Sequence, residues 1–128
     1  MNAWAGRWAA VGSSGLCLLC ALTAVRAQSA PEKRFDLHLS QGQVPASERV
    51  LRVTKGDGVQ LRIISDEAGE LHLHAYHQQV RVTPGQSVEL AFLAHASGRF
   101  RLEWHSASPT QPAGHHAPPV AVLEVRPK

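Results

Sequence analysis

The sequence predicts an all-β fold, a Greek-key sandwich or barrel, and three observations support it. Apolar and polar residues alternate with a period of two in short bursts after residue 33, as they do in half-buried strands. Turn-forming segments rich in Gly, Pro and Asp separate these bursts at intervals of about 8–12 residues. No window after Ala27 shows apolar residues at helical spacing. About one hundred residues suffice for one small core, so a single domain is expected.

Residues 1–27 have the pattern of a signal peptide with a helical apolar segment. Arg7 supplies a positive start, an apolar stretch follows, and Val25-Arg26-Ala27 fits the small-x-Ala rule for cleavage. Cleavage after Ala27 would place the protein in the periplasm or outside the cell, with no membrane span. Retention as an anchor and lipid attachment at Cys20 are the alternatives. Residues 28–33 read as a disordered lead-in, and 34–128 as the folded domain.

Each burst of alternation predicts one strand. The eight predicted strands cover 35–39, 50–53, 59–63, 71–74, 80–82, 88–92, 100–104 and 120–125. The turns between them have chemical reasons: Gly56 and Gly58 tolerate positive φ, and Pro84-Gly85 suits the centre of a type II turn. Residues 106–119 form the longest irregular segment, rich in Pro and Gly, and contain the pair His115-His116. A loop of this length is usually functional or flexible.

Composition excludes several function classes. Removal of Arg7 and Arg26 leaves eleven of the thirteen Lys and Arg against ten Asp and Glu, a net charge of +1. Such a charge does not favour nucleic acid as a partner. Cys17 and Cys20 lie within residues 1–27 and the single Met is Met1, so the exported domain contains no sulfur ligand. No nucleophile elbow or phosphate-binding loop occurs, so catalysis and an organic cofactor are not expected.

Histidine is the most informative residue type in this chain. Three of the eight lie in the run from Glu70 to His77, and His105 follows a later strand. Imidazole is the commonest metal ligand and suits late transition metals. His72 and His74 would project from one face of a strand, about 6–7 Å apart, so a twist or bulge and His105 from a neighbouring strand would be needed to share an ion. Glu70 or Glu103 would supply an oxygen.

Five segments together resemble a cupredoxin-like domain over about residues 35–125. They are Lys-Gly-Asp-Gly-Val-Gln-Leu at 55–61, Glu-Leu-His at 70–72, Val-Thr-Pro-Gly at 82–85, Gly-Arg-Phe at 98–100 and Ala-Val-Leu-Glu-Val at 121–125. The resemblance implies copper binding, with His72 opening a strand as the first ligand and further ligands after the Gly-x-aromatic strand. Trp104 stands where a blue-copper member has Cys, and a blue-copper electron-transfer site needs that thiolate. Such a site is therefore excluded.

The function predicted from these features is that of an exported protein binding copper, or alternatively zinc, for storage or delivery. The predicted ligands are His72, His74 and His105. The alternative is a metal-free interaction module whose partner is a protein of an envelope complex. In that case His72, His74 and Tyr76 would form a polar face while Leu71, Leu73 and Ala75 pack inward. A third interpretation is a surface whose clustered imidazoles titrate together. The remaining histidines are predicted to lie on the surface or on the long loop: His38, His77, His95, His115 and His116.

Overall fold

The computed structural model describes residues 30–108 and 118–128, and it contains eight β-strands. Every predicted strand is present, and the only helical elements in the described ranges are two single 3-10 turns, Ala46–Glu48 and His74–Tyr76. The strands are β1 Glu32–Leu39, β2 Val50–Thr54, β3 Gly58–Ser65, β4 Gly69–Leu73, β5 Gln78–Val82, β6 Val88–Leu93, β7 Gly98–Ser106 and β8 Ala121–Arg126.

The strands form two sheets. The first has three strands in the order β1-β3-β6, and the second has five in the order β2-β8-β7-β4-β5. Two pairs are parallel, β1 with β3 and β2 with β8, and the others are antiparallel. Since a parallel pair cannot be joined by a tight hairpin, the chain crosses repeatedly between the sheets. The predicted all-β sandwich is confirmed.

The core lies between the sheets and is built by alternate residues of each strand. In β3, Val59, Leu61 and Ile63 are almost fully buried. Leu71 and Leu73 of β4 and Leu102 of β7 line the opposite side of this layer. Because side chains alternate between the two faces of a strand, the residues between these apolar ones must project outward. The outer face of the five-stranded sheet is therefore available for polar groups.

One strand boundary differs from the sequence prediction, and two predicted features lie outside the described ranges. β1 begins at Glu32, within the segment predicted as a disordered lead-in, because Glu32 and Lys33 pair in register with Gly58 and Val59 of β3. The predicted signal peptide lies outside the described residues, and so do His115 and His116. In the described ranges no helix has the length and apolar character to cross a membrane.

Trp104 fills the space beside Gly69, the first residue of β4. The indole is 7% exposed, and its Nε1–H donates a 2.8 Å hydrogen bond to Glu67 Oε1. A Cβ on Gly69 would lie 2.8 Å from Trp104 Cε2 and 2.6 Å from the carbonyl oxygen of His105. Only glycine therefore allows β4 to approach β7 this closely at the point where the two strands pair.

We expect Gly69→Ala to lower the free energy of unfolding by about 2–3 kcal/mol, because the added methyl group overlaps both an aromatic ring and backbone. Urea unfolding followed by Trp104 fluorescence measures the change. Gly58→Ala is the control, since a Cβ there meets its nearest atom at 3.8 Å, and it should change stability by less than about 0.5 kcal/mol. Equal effects of the two substitutions would contradict this account of Gly69.

Asp66 secures the turn that follows β1. Its carboxylate accepts a 2.8 Å hydrogen bond from the Ser40 hydroxyl and bonds of 3.0 and 3.1 Å from the backbone N–H of Gln41. Gln41 has a φ of 51°, so the turn holds a non-glycine residue in the left-handed region. The Ser40 hydroxyl, followed by the Gln41 amide, lowers the pKa of Asp66 below its ordinary value of 3.8.

Because the folded-state pKa of Asp66 is lowered, its ionised form stabilises the fold above pH 3.8, and this contribution disappears as the pH falls through the lower folded-state pKa. We expect Asp66→Asn to be less stable than the wild type at pH 7 and to show a smaller loss of stability on acidification. Urea unfolding at a series of pH values between 2 and 7 measures both. Parallel stability curves for the two proteins would contradict the role given to Asp66.

Candidate metal centre

The candidate site is created by the register between β4 and β7. Glu70 pairs with His105 and His72 pairs with Glu103 in this antiparallel ladder. Directly opposed residues project from the same face of a sheet, so the four side chains form a two-by-two patch of alternating carboxylates and imidazoles. The two histidines are diagonal neighbours, and their ring centroids lie 4.5 Å apart.

The structure places His72 on the outer face of the five-stranded sheet. Leu71 and Leu73 point into the core, while His72 is half-buried among polar neighbours. The expectation that His72 opens a strand is wrong, because it is the fourth of the five residues of β4. The polar-face arrangement predicted for the metal-free alternative is also only partly correct, since Ala75 is exposed and Tyr76 is buried.

His74 reaches the same patch because the strand ends before it. β4 stops at Leu73, and His74–Tyr76 form a 3-10 turn that closes with His77 in the left-handed region. The Tyr76 side chain is 5% exposed, and its hydroxyl donates a 2.8 Å hydrogen bond to the Ala96 carbonyl oxygen. This buried anchor fixes the turn. The strand predicted to run through His74 therefore ends one residue earlier, and the turn supplies the departure from a flat strand that convergence requires.

The three predicted ligands converge. His72, His74 and His105 each offer one ring nitrogen, and these three atoms all lie within 4.8 Å of one another. No other group of three or more His, Cys, Asp or Glu with this geometry occurs in the described ranges. Atoms that bind one ion through bonds of about 2.0–2.1 Å are separated by at most about 4.2 Å. The three nitrogens are therefore close enough for small side-chain movements to bring them around one ion.

A carboxylate and a guanidinium hold His72 in place. Glu70 Oε2 lies 3.1 Å from His72 Nε2, and Glu70 Oε1 accepts hydrogen bonds of 3.1 and 2.8 Å from Arg81 Nε and Nη2. Arg81 and then His72 lower the pKa of Glu70, which therefore stays ionised at neutral pH. An ionised carboxylate can only accept a hydrogen bond, so His72 Nε2–H donates to it and Nδ1 of His72 is left for a metal. Orientation of a ligating histidine by such an outer carboxylate is typical of metal sites.

Glu103 lies between the other two histidines. Its Oε2 is 3.2 Å from His74 Nε2 and 4.0 Å from His105 Nε2. The second distance is too long for a hydrogen bond. His105 Nε2 is accordingly a buried side-chain atom with no hydrogen-bond partner. Leaving such an atom unpaired is costly, and a metal ion bound there would satisfy it. The donor set, three imidazoles beside carboxylates, fits Cu(II) or Zn(II).

The other described histidines lie away from this cluster. His38 bonds Glu48 through Nδ1 at 2.9 Å, and His95 packs on Tyr76 at a centroid distance of 4.6 Å. Both are exposed, as is His77. Sequence reasoning missed Arg81, although the β4–β5 hairpin pairs it directly with Glu70. The sequence did contain a signal for this contact: Glu70 and Arg81 carry opposite charges and lie at equal distances on either side of the turn between β4 and β5.

Comparison with known proteins identifies the fold. No protein-family model matches the chain, and no curated protein matches it in sequence. Among solved structures, a copper binding protein in the apo form is similar at 9% identity and a TM-score of 0.58, over 77% of this chain and 92% of that one. A multicopper oxidase from Pseudomonas thermotolerans is similar at 23% identity and a TM-score of 0.59. A blue copper oxidase from Nitrosomonas europaea is similar at 21% identity and a TM-score of 0.58.

These similarities establish a cupredoxin-like fold, which confirms the resemblance inferred from the sequence. The match to the Pseudomonas oxidase spans 77% of this chain but only 30% of that enzyme. The match to the Nitrosomonas oxidase spans 76% of this chain and 39% of that enzyme. It therefore corresponds to less than half of either enzyme. At these identities the comparisons show the fold, and the residues of the site must carry the functional argument.

The unpaired His105 Nε2 predicts a cost in stability for the apo protein. We expect His105→Phe to unfold no more easily than the wild type, with a gain of up to about 1 kcal/mol, because a ring of similar shape replaces a polar atom that has no partner. Urea unfolding in the presence of a chelator measures this difference. A loss of more than about 1 kcal/mol would mean that the imidazole makes a stabilising interaction in the apo state.

Proposed function

We propose that this protein binds one Cu(II) ion through His72, His74 and His105 and serves to store or deliver copper in the periplasm or outside the cell. The observation that carries the proposal is the convergence of three imidazole nitrogens within 4.8 Å of one another, in a cluster where His105 Nε2 is buried without a hydrogen-bond partner. The solved structures with this fold include a copper binding protein and two copper oxidases. Location outside the cytoplasm rests on the signal-peptide pattern of residues 1–27.

Copper is preferred over zinc because, among the divalent ions of the first transition row, Cu(II) binds most tightly to nitrogen ligands. The site also favours Cu(II) over Cu(I), since residues 28–128 contain neither Cys nor Met and soft sulfur ligands hold Cu(I). Poor redox cycling follows from this preference. A protein that holds copper in one oxidation state suits storage or delivery better than electron transfer.

The exposure of the cluster supports exchange of the ion with a partner. The side chain of His74 is 64% exposed and that of His105 is 39% exposed, whereas that of His72 is 20% exposed. An incoming ligand can therefore reach the ion from the side of His74 while His72 and His105 still hold it. The metal-free alternative would use an exposed apolar patch. Across the described ranges, Leu93 is the one large hydrophobic side chain that is exposed.

Calorimetric titration of the tag-free chain from Gln28 onward, which contains every described residue, tests the proposal. We expect one tight Cu(II) site per chain and a weaker Zn(II) site. His72→Ala should abolish the tight site because it removes the most enclosed imidazole of the cluster. Cu(II) should also quench the fluorescence of Trp104, the only Trp after residue 27, at the same stoichiometry.

Two control variants separate this site from other histidines. His95→Ala removes an exposed imidazole outside the cluster, and His115→Ala/His116→Ala removes the pair in the segment 109–117. Both should keep the tight site and the quenching. Weak binding at several sites, reduced equally by all three variants, would overturn the assignment and move the function to protein partners.

A further inference from the structure

The two carboxylates of the patch, Glu70 and Glu103, have different partners and are therefore suited to different roles. Both oxygens of Glu70 are occupied, Oε1 by Arg81 and Oε2 by His72. The positive guanidinium also neutralises Glu70 and would repel a cation that approached it. Glu70 is therefore suited to hold His72 in position and poorly suited to bind a metal ion itself.

Glu103 has the opposite environment. In the described ranges no Lys or Arg forms an ion pair with its carboxylate, whose ion-pair contacts are His74 and His105 alone. Its side chain is 25% exposed, so much of its solvation has been lost. An ionised carboxylate beside a buried, unpartnered nitrogen is an arrangement that a cation would stabilise.

Glu103 lies outside the group of three mutually close histidine nitrogens, but two distances from its Oε2 fall in the range expected between ligands of one ion. For bonds of about 2.0–2.1 Å, two ligand atoms lie about 2.9 Å apart at a right angle, about 3.4 Å at a tetrahedral angle and about 4.1 Å when opposite. Oε2 lies 3.2 Å from His74 Nε2 and 4.0 Å from His105 Nε2. Both values fall within this range, whereas 3.2 Å is at the long end for a hydrogen bond.

We infer that Glu103 is a fourth ligand of the same ion and makes the site selective for divalent metals. This inference rests on the proposed function. Once the proton shared by His74 and Glu103 had passed to the other ring nitrogen or to solvent, one ring nitrogen of His74 and the carboxylate Oε2 would both be able to donate to the ion. A negatively charged oxygen favours Cu(II) and Zn(II) strongly, while Cu(I) gains little from it because it prefers soft ligands.

Glu103→Gln tests the inference, because it keeps the shape of the side chain and removes its charge. We expect the dissociation constant for Cu(II) to rise about tenfold or more, since loss of even an outer-shell partner costs 10–100-fold. The Cu(I) affinity, measured by competition with bicinchoninate, should change by less than about threefold. The electron paramagnetic resonance spectrum of the Cu(II) form should also change, because a neutral amide would replace an anionic carboxylate as the oxygen donor.

The chain offers a matched control and a comparison for the two roles. Glu124 lies on the adjacent strand β8 with a side-chain exposure of 24%, and its contacts are Arg52 and Arg126. Glu124→Gln should leave the affinities and the spectrum unchanged. Glu70→Gln should weaken Cu(II) binding without changing the ligand set seen in the spectrum, because Glu70 acts on the ion only through His72.

Three results would overturn the inference while leaving the proposed function intact. They are a Cu(II) affinity of Glu103→Gln within about threefold of the wild type, an unchanged spectrum, or equal losses in Glu124→Gln. If Glu103→Gln fails to fold by circular dichroism, Glu103→Asp provides the test: the shortened carboxylate should bind Cu(II) more weakly than the wild type and alter the spectrum. Failure of the wild type itself to bind Cu(II) would instead reject the proposed function.

Discussion

The pairing of β4 with β7 is the constraint on which the rest of this structure depends. The same register that buries Leu71 and Trp104 in the core aligns Glu70 with His105 and His72 with Glu103 on the outer face. A slip of one residue would turn every side chain of β4 to the other face. The apolar core thus fixes the geometry of the polar patch, and Gly69 permits the close approach of the two strands.

The candidate cluster contains polar groups that lack partners in the free protein. His105 Nε2 is buried without a partner, and Glu103 faces two imidazoles but forms no ion pair with a Lys or Arg of the described ranges. Such features are unfavourable in a free protein, and a cation bound at the proposed site would make them favourable. In contrast, both oxygens of Glu70 are hydrogen-bonded, one to Arg81 and one to His72. One carboxylate of the patch is thus paired within the protein, and the other is the one to which we assign a ligand role.

Trp104 shows how a fold shared with copper proteins can retain its core while the chemistry differs. Its indole faces inward, packs against Gly69 and bonds Glu67, whereas His105, the next residue, faces outward. The candidate ligands therefore lie on the outside of a sheet, at the opposite face from the core. An external site is open to exchange with another molecule, which is consistent with the proposed storage or delivery of an ion.

Local sequence determined the eight strands, the absence of sulfur ligands after residue 27 and the three candidate histidines, because alternation and composition are local properties of the chain. Tertiary structure alone decided that His72 faces outward, that His74 leaves the strand on a turn anchored by Tyr76, and that Arg81 holds Glu70. It also extended β1 back to Glu32 through pairing with β3. These features depend on which strands become neighbours in the fold. Contacts between residues that are distant in the sequence do not alter the alternation of apolar and polar residues within a strand, so this alternation does not predict them.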